Sequence, residues 1–128
     1  MAVNKLVVDT SAYSGFFNGS TTSLNPFFTN KDTLFMPIIV LGELRAGFAA
    51  GTRQIYNEQN LSRFIASSNV EIIEPSDKTT HVYAQIFADL RKAGKSISTT
   101  DMWIAALAVE YEASLLTLDG GFKHIAKL

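Results

Sequence analysis

Four acidic residues are the most informative feature of this 128-residue sequence. Asp9 and Asp119 each follow a short apolar run. Asp101 lies just ahead of an apolar, alanine-rich stretch, and Glu43 lies within the otherwise apolar sequence IIVLGEL, where a carboxylate that faced the interior would need a partner or a metal. Carboxylates brought together repel one another strongly unless hard cations lie among them. The sequence therefore suggests one metal site assembled from distant parts of the chain.

Each of these acids also has an ordinary structural explanation. Asp9 is a good helix N-cap, which stabilises a helix by about 1 kcal/mol. Asp101 suits the first turn of a helix, where the helix dipole favours negative charge. Asp119, followed by two glycines, is typical of a turn, and Glu43 is typical of a solvated helix residue. The joint arrangement favours a shared site, because independent caps and turns have no reason to fall at the same edge of one sheet.

The scarcity of nitrogen and sulfur ligands restricts the metal. The chain has no cysteine and only two histidines, His81 and His124. Disulfides and thiolate sites are therefore excluded, and a zinc site with the usual nitrogen and sulfur ligands cannot be assembled. Any metal must be bound mainly through oxygen, which indicates Mg²⁺ or Mn²⁺.

Length and composition predict one folded domain over residues 1–128. Apolar residues make up 47% and aromatic residues 11% of the chain, as in ordinary globular proteins. The first residues do not have the layout of a signal peptide, and no apolar stretch is long enough to span a bilayer. We therefore expect a soluble, cytoplasmic protein without a membrane partner.

The net charge of the chain gives little evidence for a nucleic-acid partner. The formal net charge is −1, so no overall basic field is present. Bound cations would nevertheless reverse the sign of an acidic pocket. Arg45 and Arg53 are candidate contacts for RNA phosphates, although charged helix residues usually form only the solvated face.

Hydrophobic periodicity predicts the elements that must position the acids. Strands are predicted over residues 5–8, 33–36, 70–73 and 114–118, and helices over 11–17, 24–28, 38–49, 52–67, 77–93 and 102–111. This order predicts an α/β fold with three α/β/α layers and a mostly parallel central sheet. Ligands of such sheets bind beyond the carboxyl ends of the strands, where Asp9 and Asp119 are expected.

The aromatic residues have two interpretations. Trp103 is predicted to pack in the core rather than to stack on a base, because its helix is apolar all round. Phe48 and Tyr56 flank Gly51, where a helix is expected to break. They are candidates to line a groove for a protein partner, although such aromatics usually just pack.

The sequence resembles those of the PIN-domain family and, within it, those of the small VapC-type toxins of toxin–antitoxin pairs. The resemblance lies in VVDTSA, PIIVLGELRAG, SISTTDMWIAALAVEY and LLTLDGGF, and it covers nearly the whole chain. It implies that the four acids form one acidic quartet, and that hydroxyl groups lie in or beside the pocket. Those hydroxyl neighbours are Thr10, Ser11, Thr100 and Thr117.

The resemblance also implies an activity and partners. Such proteins are metal-dependent ribonucleases, form homodimers, and are restrained by a cognate antitoxin that lays a segment into the groove by the active site. One departure concerns the end of the chain, FKHIAKL. Family members commonly continue there into a final strand, so we expect the closing edge strand to be short or missing.

The chemistry expected of such a site follows from its oxygen ligands. Our hypothesis is that Asp9 and Asp101 bind the principal Mg²⁺ or Mn²⁺, and that Asp119 joins directly or through water. Glu43 would orient or deprotonate the attacking water. A second ion, at about 3.5–4 Å in two-metal sites, is an open alternative.

Other classes of function are alternatives to a metal-dependent toxin ribonuclease. A phosphoacceptor receiver domain is disfavoured because Asp9 stands alone after the first strand, without the required second acid. Nucleotide-binding enzymes are disfavoured because no P-loop or G-x-G-x-x-G turn is present. The remaining alternatives are a noncatalytic PIN-like binding module and a housekeeping metal-dependent nuclease outside a toxin–antitoxin pair.

Overall fold

The computed structural model describes residues 4–18 and 32–125, apart from the side chain of His124. The helix predicted over 24–28 lies outside the described residues. The described elements, in chain order, are β1 (Lys5–Val8), α1 (Thr10–Phe17), β2 (Thr33–Pro37), α2 (Ile38–Ala50), α3 (Gln54–Ile65), β3 (Val70–Ile73), α4 (Asp77–Lys92), α5 (Thr99–Glu110), β4 (Ser114–Leu116) and a 3₁₀ helix (Gly120–His124).

The four strands form one parallel sheet in the order β3-β2-β1-β4. Leu6 lies opposite Leu34 of β2 on one side and Ser114 of β4 on the other. Helices flank this sheet, so the predicted three-layer α/β/α fold is confirmed. Because β1 is central, the residue that follows it lies in the middle of the carboxyl edge.

The core explains why β1 and α5 are the most apolar elements. Val7 and Val8 are fully buried, as expected of a central parallel strand that is covered on both faces. The α5 segment from Ile104 to Ala108 is also buried, and its alanines allow close packing. Trp103 stacks on Tyr83 of α4 with ring centroids 4.2 Å apart, as predicted for a packing residue.

Two helices of the layer that contains α5 are joined by a buried threonine. Thr79, at the start of α4, is fully buried. Its hydroxyl accepts a hydrogen bond from the Ser76 backbone N–H at 2.9 Å and donates one to Oε1 of Glu110 at the end of α5. This contact fixes the antiparallel register of the two helices.

The sequence placed the end of the fourth strand too late. The strand ends at Leu116 rather than at residue 118, because Thr117 and Leu118 turn their polar groups toward Ser11 and Asp9 instead of continuing the ladder. No further strand follows β4 in the chain up to Ile125, and residues 126–128 lie outside the described part.

None of the helices in residues 4–18 and 32–125 is long and apolar enough to cross a membrane.

Candidate active site

Asp9 lies at the carboxyl end of β1 and caps α1. Only 4% of the residue is exposed. Its Oδ1 accepts hydrogen bonds from the Ala12 backbone N–H at 2.9 Å and from the Ser11 hydroxyl at 2.8 Å. The Thr117 hydroxyl donates to Oδ2. The capping explanation is therefore correct, and the same hydrogen bonds satisfy the buried carboxylate and hold it in a fixed orientation at the sheet edge.

The residues after β4 complete the hydrogen-bond network around Asp9. The Thr117 hydroxyl oxygen accepts from the Asp119 backbone N–H at 2.9 Å, and the Ser11 hydroxyl accepts from Leu118 N–H at 2.9 Å. Asp119 itself is exposed, and its Oδ1 accepts from Gly121 N–H at 2.8 Å to cap the 3₁₀ helix. The start of α1 and the loop after β4 are thereby tied together beside the end of β1.

Glu43 approaches the same edge from α2. It is exposed rather than facing the interior, because Val40, Leu41 and Leu44 occupy the buried face of the helix. The Thr10 hydroxyl donates a hydrogen bond of 2.6 Å to Oε1 of Glu43. Glu43 is thus held at the first turn of α1, the helix that Asp9 caps.

Asp101 connects the quartet electrostatically. It lies in the first turn of α5, partly buried, behind the N-cap Ser98, whose side chain accepts from Asp101 N–H at 3.1 Å. Burial raises the pKa of its carboxyl group, a hydrogen bond with Ser98 opposes the rise, and the charges of Asp119, Glu43 and Asp9 raise it further. The charges of the other three acids therefore act at the position of Asp101.

The fit of this site to a metal ion depends on donor type and spacing. Among residues 4–18 and 32–125, no three acidic or histidine side chains stand close enough to serve together as the ligands of one ion. The donors nevertheless fit a hard cation, because all are carboxylate or hydroxyl oxygens. Burial and the neighbouring negative charges both raise the pKa of Asp101, and a divalent cation would offset those charges.

The structure also places the predicted hydroxyl neighbours. Ser11 and Thr117 contact Asp9, and Thr10 contacts Glu43. Thr100 precedes Asp101 in α5, and within the described part of the chain no hydrogen bond engages its hydroxyl.

The two candidate phosphate-binding arginines differ. Arg45 forms an exposed ion pair with Glu58 of α3, with Nε 2.8 Å from Oε1, and does not line the cavity that includes Glu43. Arg53 lies with its guanidinium 4.1 Å from the centroid of the Tyr56 ring. Arg53 also lines a cavity that includes Thr10 and Glu43, so only this arginine borders the acidic site.

Sequence reasoning missed the extent of this cavity, which lies between α1, α2 and α3 and has a volume of about 470 Å³. Phe48 and Tyr56, proposed as groove residues, both line it. The unrecognised signal was the spacing of its polar residues at three and four positions along α1 and α3. The lining residues are Thr10, Tyr13, Ser14, Phe17, Asn18, Glu43, Leu44, Gly47, Phe48, Arg53, Tyr56, Asn57 and Asn60.

Comparison with known proteins identifies the family to which this arrangement belongs. The model of the PIN domain matches residues 6–128. The chain belongs to the PIN-domain family. Relatives of this PIN-domain chain include the plasmid stability protein StbB of Pseudomonas syringae pv. tomato, which is 34% identical over 70% of this chain and 68% of the relative. Ribonuclease VapC2 of Rickettsia felis is 33% identical over 77% of this chain and 72% of the relative.

A solved structure extends the likeness over almost the whole PIN domain. It is VapBC2 from Rickettsia felis bound to a DNA fragment from their promoter, with 28% identity and a TM-score of 0.83. The match covers 97% of this chain and 95% of that chain. The parallel sheet described above is therefore the PIN fold.

Proposed function

We propose that this PIN-domain protein is a Mg²⁺- or Mn²⁺-dependent endoribonuclease, the toxin of a toxin–antitoxin pair, acting in the cytoplasm. One arrangement carries the proposal: hydrogen bonds hold Asp9, Glu43 and Asp119 around the end of β1. Burial, together with the charges of these three acids, raises the pKa of Asp101 in the first turn of α5. A cluster of carboxylates at the carboxyl edge of a parallel sheet is poorly suited to an anionic substrate unless cations are bound there. The relative named ribonuclease VapC2 supports the RNA substrate.

The four acids would have two roles, which are to bind the cation and to accept a proton from the attacking water. Asp9 and Asp101 would hold the principal ion, and Asp119 would join directly or through water. A bound divalent cation supplies a water of lowered pKa and offsets the charge of the phosphate. The buried hydrogen bonds of Asp9 fix one ligand before the ion arrives, which lowers the entropic cost of binding.

Glu43 is the candidate to orient the attacking water and accept its proton. The Thr10 hydroxyl engages Oε1, and no hydrogen bond among the described residues uses Oε2. Its exposure allows solvent to reach that oxygen. A carboxylate with one oxygen anchored and the other accessible is arranged as a positioned general base.

The proposed partners are an RNA substrate, a cognate antitoxin and a second copy of the chain in a homodimer. Support for the antitoxin comes from the likeness to the VapBC2 complex of Rickettsia felis. Expression of the protein alone should arrest growth, and co-expression of a small protein encoded beside it should restore growth. Growth arrest that persists with every neighbouring gene would favour a nuclease outside a toxin–antitoxin pair.

The activity is tested by incubating the purified, partner-free protein with total cellular RNA, with Mg²⁺, with Mn²⁺ or with a chelator. Discrete cuts should appear with either metal and disappear with the chelator and in Asp101→Asn. Asp89→Asn is the matched control, because Asp89 is an exposed acid of α4 whose carboxylate bonds only to Gln85 among the described residues. Intact RNA under every condition would favour the noncatalytic binding module.

A further inference from the structure

The cavity between α1, α2 and α3 has a polar wall where a packed helix normally presents apolar residues. The wall formed by α3 consists of Arg53 at its N-cap and of Tyr56, Asn57 and Asn60, spaced three, four and seven positions after it. Residues with this spacing share one helix face, which in an amphipathic helix is the apolar one. The buried apolar residues of α3, Leu61 and Phe64, come only after this stretch. The first two turns of α3 therefore border an open cavity instead of sealing the core.

The facing wall repeats the pattern on α1. Thr10, Tyr13, Ser14 and Phe17 follow the same spacing and all line the cavity. Tyr13 is buried and stacks on Phe17 at a centroid distance of 4.5 Å. The cavity thus combines aromatic rings with hydroxyl and amide groups, and its volume of about 470 Å³ is in the range of small-molecule sites.

These groups match the chemistry by which proteins bind single nucleobases. Bases of unpaired RNA stack on aromatic rings or on arginine planes and are read through hydrogen bonds to their edges. Tyr56 is 51% exposed, and Cζ of the Arg53 guanidinium lies over its ring, 4.1 Å from the centroid. No hydrogen bond within the described chain holds the side-chain amide of Asn57, so its donors and acceptor are available to a base edge.

The cavity is continuous with the acidic site. Thr10 and Glu43 belong to its lining, and the hydrogen bond of 2.6 Å between them forms the border between the two. A nucleotide whose phosphate lay at the carboxylates would therefore have its own or the adjacent base at the mouth of the cavity.

We propose that this cavity binds one unpaired nucleobase of the RNA next to the scissile phosphate. Tyr56 and Arg53 provide the stacking surface, and Asn57 determines which base is preferred. This inference rests on the proposed ribonuclease function. The exposed Tyr56 ring beside the unengaged Asn57 amide favours a base over a segment of a protein partner. Occupation by a protein segment is an outcome that the experiment distinguishes.

Two glycines of α2 provide a matched pair of variants. A Cβ added at Gly47 or at Gly42 meets no atom within 4 Å, so both positions tolerate a side chain. Gly47 lines the cavity and Gly42 does not. Gly47→Leu fills the cavity, whereas Gly42→Leu makes the same change on the same helix outside it.

Binding is measured by fluorescence anisotropy with a single-stranded RNA oligonucleotide and with an abasic oligonucleotide of the same length, in an Asp101→Asn background that prevents cleavage. Gly47→Leu should weaken binding of the normal oligonucleotide at least tenfold and leave the abasic one unchanged. Gly42→Leu should bind both oligonucleotides like the parent protein. Equal affinities of the two glycine variants for the normal oligonucleotide would overturn the proposal.

Specificity is measured by sequencing the ends produced from a pool of unstructured RNA with randomised sequence. Asn57→Ala should lose the base preference at one position beside the cut, while Gln59→Ala, on another face of α3, should keep it. Tyr56→Ala should lower kcat/KM by about 5- to 100-fold, as expected for loss of one stacked base, and Ile55→Ala, exposed outside the cavity, should not.

The outcomes separate this proposal from the ribonuclease proposal. If the wild-type chain cuts RNA but Asn57→Ala keeps the same cutting pattern, the base pocket is wrong and the nuclease stands. If the wild-type chain cuts no RNA, the nuclease is wrong, and the anisotropy measurement still decides whether the cavity binds bases. Variants that change only inhibition by the antitoxin would assign the cavity to the protein partner and overturn the base pocket. Thermal unfolding verifies that each variant is folded, and a misfolded Gly47→Leu leaves the decision to Asn57→Ala.

Discussion

The hydroxyl of Thr117 donates a hydrogen bond to Oδ2 of Asp9, across a separation of 108 residues in the sequence. This contact joins the end of the central strand to the loop after the edge strand. The position of the buried Asp9 carboxylate therefore depends on the central strand and on the loop after β4. A threonine that holds a ligand in this way acts on the reaction through that ligand.

Thr117→Val removes the hydroxyl with little change in shape. We predict a loss of RNA cleavage of about 10- to 100-fold, the range found when a group that orients a metal ligand is removed. Single-turnover cleavage rates at saturating Mn²⁺ provide the measurement. Thr80→Val is the control, because the Thr80 hydroxyl bonds only to the backbone oxygen of Asp77 among the described residues. Equal rates in the two variants would show that Asp9 does not need this hydrogen bond.

Glu43 and Thr10 should behave as one unit. Glu43→Gln is expected to lower kcat by about 10²- to 10⁴-fold, because a general base is lost. Thr10→Val should have a smaller effect, since it only releases Oε1 of Glu43. In a double-mutant cycle the combined variant should resemble Glu43→Gln alone, because Thr10 then has no carboxylate to orient. Fully additive effects would mean that Thr10 acts independently of Glu43.

Thr79 should matter for stability and not for chemistry. Thr79→Val removes the hydroxyl that accepts a hydrogen bond from the Ser76 N–H and donates one to the Glu110 carboxylate. Both groups then lose their partner between the packed helices α4 and α5. We predict a loss of about 1–3 kcal/mol in the free energy of unfolding. Urea denaturation measures it, and the adjacent, exposed Thr80 serves as the control position. RNA cleavage below the unfolding transition should be unchanged, and a selective loss of activity would contradict a structural role.

Tyr13 should make the protein sensitive to alkali. Burial, together with the charge of Glu58, raises the pKa of Tyr13 to about 12 in the folded state, from an ordinary value of 10.0. The unfolded chain then releases the Tyr13 proton first, so this group's contribution to stability is complete below pH 10.0 and is lost as the pH rises toward about 12.

Denaturation of the wild type and of Tyr13→Phe across this pH range checks the prediction. The free energy of unfolding of the wild type should fall relative to that of Tyr13→Phe, because phenylalanine has no proton to lose. A difference in the free energy of unfolding between the two proteins that stays constant from about pH 8 to about pH 12 would contradict the raised pKa of Tyr13.

The sequence predicted the fold well because β1 and β3 are short runs rich in β-branched residues and all four strands are short apolar segments. β1 and β3 begin and end where the periodicity placed them, since central and paired strands of this kind have few alternative registers. The end of β4 was missed because Thr117 is engaged by Asp9, a contact that depends on tertiary structure. Local pattern carries no information about a partner so distant in the chain.

The site was only partly predictable for the same reason. Asp9, Asp101 and Asp119 were recognisable because each lies at the boundary of an element, and Glu43 because it interrupts an apolar stretch. The outward orientation of Glu43 and the ion pair of Arg45 with Glu58 depend on how α2 packs against α3, which the sequence pattern does not specify. In the sequence, the polar face of α3 is indistinguishable from an ordinary solvated surface, because only the folded structure shows that α1 lies across the cavity from it.

Direct titration of Mn²⁺ into the purified protein tests the central claim, that the four acids form one cation site. Free Mn²⁺ is followed by electron paramagnetic resonance for the wild type, for Asp101→Asn and for the control Asp89→Asn. The wild type and Asp89→Asn should bind Mn²⁺ with the same affinity, and Asp101→Asn should bind at least tenfold more weakly. Identical Mn²⁺ binding by Asp101→Asn and the wild type would contradict the shared site.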